Sequence, residues 1–117
     1  MENQENLSKY IDIDAALSRV RGNKAIYKKM LGLFLKNNSF ADLENTISQQ
    51  DYPKASEVAH GIKGLTGNLG MNILFEESSK LMVQMRSGAP DEQTLKNYRE
   101  ALTKTCEYAE KLVAELV

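Results

Sequence analysis

Apolar residues recur along this chain at three- and four-residue intervals. No stretch alternates with the period of two that a half-buried strand needs. The spacing therefore predicts helices throughout. A short one near Asp14–Arg21 is stopped by Gly22. A second runs from about Asn23, a candidate cap, to Lys36, with Tyr27, Met30, Leu31 and Phe34 on one face. The Asn37-Asn38-Ser39 cluster then breaks or kinks the chain. A third covers about Phe40–Gln49, with Phe40, Leu43 and Ile47 in register. A fourth starts near Pro53 and ends near Asn68–Gly70. A fifth spans about Asn72–Arg86, turns Leu74, Ser78, Leu81 and Met85 inward, and closes at Ser87-Gly88. The last runs from Asp91 almost to the end, along the stripe Leu95, Tyr98, Leu102, Thr105, Ala109, Leu112 and Leu116. Pro53 and Pro90 stand at helix starts beside Asp51 and Asp91. There a missing N–H costs nothing, and a carboxylate favours the positive end of the dipole. Short connections between helices of this length favour an antiparallel up-down bundle.

Length and composition narrow the function. The 117 residues fit one helical domain, 1–117, in which about residues 1–10 form a polar leader. Fifteen basic residues against sixteen acidic ones leave a net charge of -1, so no basic excess points to nucleic acid or to an anionic membrane. No apolar run approaches the roughly 20 residues that span a bilayer, and MENQENLSKY has no apolar core of a signal peptide. Cys106, the single cysteine, has no internal partner for a disulfide and points to a reducing, cytoplasmic setting.

One stretch does not fit ordinary helix composition. HGIKGLTGNLG, His60–Gly70, holds the only histidine and four of the seven glycines. On a wheel of about 100° per residue, Ala55, Val58, Ile62, Leu65 and Leu69 form a buried stripe. His60 falls opposite it, among Ser56, Glu57, Lys63, Gly64 and Gly67. A core histidine with satisfied ring nitrogens is thereby disfavoured. A plain surface histidine leaves the glycines unexplained, since Gly61, Gly64 and Gly67 together cost a helix roughly 3 kcal/mol. Glycine lets another surface approach the backbone. Gly64 and Gly67 follow His60 by one and two turns and would clear the way to its ring. A neutral imidazole is a good nucleophile near neutral pH. Lys63, at i+3, reaches the same space and would stabilise an anion carried there.

The stretch Ala59–Gly70, AHGIKGLTGNLG, closely resembles the motif of histidine-containing phosphotransfer (HPt) domains. The family's His-x-x-Lys-Gly core falls on His60, Lys63 and Gly64, and its Gly-Asn-apolar-Gly continuation on Gly67 to Gly70. The stretch Ile11–Asn37 also looks like the family's N-terminal pattern, so the likeness covers most of the chain. The resemblance implies an all-α, up-down four-helix bundle with an additional short N-terminal helix. It implies a phosphorelay intermediate in which His60 accepts a phosphoryl group from a receiver-domain aspartate and passes it to another receiver. Lys63 would stabilise the phosphoryl group, and Gly64 and Gly67 would keep the approach open. Such a carrier is not an enzyme with its own kinase or ATP site. It needs no cofactor and no metal, the Mg²⁺ belonging to the partner receiver. Its partners would be response-regulator receivers and a hybrid sensor histidine kinase, met by a monomer. The docking rim would include Lys54, Glu57, Lys63, Lys80 and Arg86. The family often places Gln or Glu where spacing puts Met82 here. Met82 orients an imidazole less well, and is expected instead to be an apolar contact that receivers bury.

Other readings carry less. A receiver-binding adaptor of the same fold that carries no phosphate would more readily lose the histidine. A metal or haem bundle needs several converging ligands, and one outward histidine is not enough. Met30, Met71, Met82 and Met85 read as core fill. The spacing Gly64-x-x-Gly67-x-x-Gly70 follows a helix, whereas a dinucleotide fingerprint follows a strand. A hydrolase built on His60 and Ser56 lacks an orienting acid.

Overall fold

Aspartate and asparagine side chains mark where most of the helices begin. In the computed structural model, which describes residues 7–116, the carboxylates of Asp12, Asp51 and Asp91 and the amide oxygen of Asn23 each accept from the backbone N–H three residues on. Each cap satisfies a donor that the first helical turn leaves free. The helices that follow are α1 (Ile13–Arg19), α2 (Lys24–Leu35), α4 (Tyr52–Asn68) and α6 (Glu92–Glu115). Two more, α3 (Ser39–Ser48) and α5 (Asn72–Ser87), start without a side-chain cap, and a 3-10 turn at Ser8–Tyr10 precedes α1. No strand occurs among the described residues, so the fold is all-α. No helix among them is long and apolar enough to cross a membrane.

The breaks have local causes. α1 ends at Arg19, two residues before the predicted Arg21, because Arg21 and Gly22 both adopt left-handed backbone (φ 57° and 77°). The Gly22 N–H then returns to the Leu17 carbonyl at 2.8 Å. Between α2 and α3 the Asn37 amide oxygen accepts from the Ser39 N–H at 2.8 Å, an Asx turn that replaces a helical bond. Phe34 and Phe40 bracket that break edge to face, 5.2 Å apart.

α4 packs against α5 most closely, α3 against α4, α5 against α6, and α2 against α6. The predicted stripes on α5 and α6 are buried at Leu74, Ser78, Leu81, Met85, Tyr98, Thr105, Ala109 and Leu112. On α2, Tyr27, Leu31 and Phe34 are buried and Met30 is half-buried. The Tyr27 hydroxyl donates to the Leu69 carbonyl at 3.4 Å, and burial pushes its pKa up to about 12. On α4 the buried set is Ala55, Ser56, Ala59, Ile62 and Thr66, while Val58 and Leu65 are half-buried. Its centre is thus rotated from the predicted stripe towards small residues, which let α5 come close. The expected leader lies partly outside the described residues. Within them Ser8 and Lys9 are exposed, while Tyr10 belongs to the core.

Candidate functional site

His60 stands on the exposed face of α4, one residue after the fully buried Ala59. The wheel placed it there, and α5 leaves that face open. His60 lines two surface depressions. The first, about 440 Å³, takes Lys63, Gly64, Gly67 and Asn68 from α4, Asn72 and Phe75 from α5, and Arg19 from α1. The second, about 410 Å³, lies towards the start of α4. It is lined by Pro53, Ser56 and Glu57 with Met85 and Arg86 of α5.

The glycines divide into two kinds. A Cβ built at Gly64 meets nothing within 4 Å, and the same holds at Gly61. Nothing inside this chain requires glycine at 64, so the space it leaves is available to another body. Gly67 differs. A Cβ there would lie 3.1 and 3.2 Å from the Phe75 ring. Its missing side chain therefore seats Phe75 of α5, and Gly67 also lines the depression beside His60. Phe75 in turn holds Lys63, whose Nζ lies 5.8 Å from the ring centroid, within cation–π range. The lysine is thus kept at the depression that His60 lines.

Two expected neighbours of His60 are turned into the core. Ser56 is buried, and its hydroxyl donates to the Met82 carbonyl at 3.2 Å. Met82 itself is 5% exposed and belongs to the core, so it offers almost no surface to a docking partner. The register that put it beside His60 took α5 to present one narrow inner stripe. In fact Leu81, Met82 and Met85 are all inside. Arg86 and Glu57 are exposed and share the second depression with His60. Lys80 lies 3.5 Å from Glu77, its neighbour on α5.

Arg19 and Phe75 were not singled out by the sequence. Arg19 reaches the first depression from α1, and its Nη1 donates to the Asn68 amide oxygen at 3.4 Å. No local spacing connects the two residues. Phe75 had a signal: a large aromatic just off the inward stripe of α5, facing a helix with unexplained glycines. The first depression therefore holds an imidazole, two cations, two amides and no carboxylate. That arrangement suits an anion carried on the ring. Among the described residues no three His, Cys, Asp or Glu side chains gather as metal ligands would. In comparisons with protein families, with curated proteins and with solved structures, nothing matches this chain.

Proposed function

We propose that this protein is a phosphorelay intermediate in two-component signalling, with His60 as the phosphoacceptor. The carrying observation is the depression beside His60, lined by Arg19 and Lys63 and free of carboxylates. A P–N bond forms between the ring and the phosphoryl group of a receiver's aspartyl phosphate. The acyl P–O bond breaks, and its electron pair returns to the aspartate. The reverse step delivers the group to a second receiver. Lys63 attracts the phosphoryl oxygens, and Gly64 leaves room for the receiver's acidic pocket and its Mg²⁺. In this reading the phosphoryl group comes from the partner receiver and not from a kinase or nucleotide site of this chain. The chain acts as a cytoplasmic monomer between receivers and a hybrid sensor histidine kinase. In this reading α2 with α3, then α4, α5 and α6, are the four legs of an up-down antiparallel bundle, and α1 is the added N-terminal helix. The pairing order of the helices supports that arrangement.

The test is transfer of label. The protein is mixed with a phosphorylated receiver and Mg²⁺, and acid-labile label is followed onto wild type and His60→Gln. Label on wild type alone is the expected result. No label from a broad panel of receivers, with binding intact, would leave an adaptor that docks receivers without carrying phosphate.

A further inference from the structure

The short helix α1 packs where α4 turns into α5, and a single glycine permits it. Gly70 has left-handed backbone (φ 74°), and its carbonyl accepts from the Asp12 N–H at 2.7 Å. A Cβ at Gly70 would sit 2.5 Å from the Asp12 carbonyl oxygen and 3.3 Å from the Ala16 methyl. The cap of α1 and its buried residue Ala16 are therefore both seated against this turn. Arg19 follows Ala16 by one turn of α1, which carries its guanidinium to Asn68 at the end of α4. Among the described residues that neutral amide is its polar partner, and no carboxylate lies within ion-pair distance of it. An arginine held by an amide keeps its charge uncompensated and still has free N–H donors.

We infer that Arg19 is a second phosphoryl-binding residue, delivered to the His60 site by the docking of α1 on Gly70. This rests on the phosphocarrier reading above and adds a residue to it. Lys63 is a point charge on the helix that bears the histidine. Arg19 approaches from another element and offers a planar fork that matches two phosphoryl oxygens. The two cations thus reach the depression from different elements, Lys63 from α4 and Arg19 from α1.

A receiver-free donor separates phosphoryl binding from receiver docking. With phosphoramidate, the imidazole nitrogen displaces ammonia from phosphorus: the donor's P–N bond breaks as the new one forms. Wild type, Arg19→Gln and Arg19→Lys are labelled with phosphoramidate and, separately, with a phosphorylated receiver. Arg19→Gln is expected to take label about tenfold more slowly from both donors, the lower end of what a charged hydrogen bond contributes. Arg19→Lys should recover part of the rate. The melting temperature should not move, since Arg19 is exposed. Labelling of Arg19→Gln at the wild-type rate by phosphoramidate would overturn the inference, and slowing with the receiver alone would make Arg19 a docking residue. If wild type takes no label from either donor, the phosphocarrier reading fails and this inference falls with it.

Discussion

The two flanks of His60 are built differently. Towards Asn68 the surface has two cations, two amides, a glycine with open space above it, and no acid. Towards Pro53 it has Glu57 and Arg86 over the edge of Met85, a mixed surface of the kind that protein partners meet. An anionic group on the ring would meet two cations on the first flank and one charge of each sign on the second. The difference teaches that a cationic surface and a mixed one can be laid out in sequence along one helix, each open to change without the other.

The largest effect on this contrast is expected at Gly70. Gly70→Ala strains a left-handed residue and drives a methyl into the Asp12 carbonyl, so stability should fall by about 2 kcal/mol. Chemical denaturation reads that loss. Phosphoramidate labelling of the folded fraction should drop by the factor expected for Arg19→Gln, because α1 no longer seats. Full labelling would mean that the cationic flank stands without α1.

Next come the two open glycines of α4. Gly64→Ala and Gly61→Ala each add a methyl that touches nothing, so each should stabilise the helix by up to ~1 kcal/mol. Only Gly64 lines the depression. Gly64→Ala should therefore raise the melting temperature while slowing transfer from a receiver, whereas Gly61→Ala should raise it at unchanged rate. Equal slowing in both would place the receiver across the whole face and erase the boundary between the flanks.

The smallest effect belongs to Arg86. Arg86→Gln should leave phosphoramidate labelling as it is and reduce the receiver's association rate by roughly threefold, less at high salt, as rim charges do. Stopped-flow binding at two ionic strengths measures it. A matching loss with phosphoramidate would extend the anion site to both sides of the ring.

How much of this was legible depended on range. The exposure of His60 followed from a periodicity contained within α4. So did the oddity of Gly64, since a glycine in a solvated helix needs a reason wherever it lies. Ser56 was misjudged because a wheel supposes one buried arc, whereas α4 is covered by both α3 and α5. Met82 was misjudged because the axial offset between two packed helices is not written in either of them. Gly67 both lines the depression and seats Phe75, and only the first of these was legible. Spacing cannot tell a glycine that admits a partner from one that admits a neighbouring helix. Arg19 could not be found at all, since a left-handed glycine and a backbone hydrogen bond bring it in.

The distance in sequence between Arg19 and Asn68, 49 residues, also sets an order in time. His60, Lys63 and Gly64 come into register when one helix forms, an event of about a microsecond or less. The guanidinium arrives only after a loop of that size has closed and the α4–α5 turn has taken its left-handed form, a slower step that local contacts do not prepay. In refolding, helical signal should return before the affinity of this face for oxyanions does. For that interval the chain has its imidazole in place and only one of the two cations of the depression.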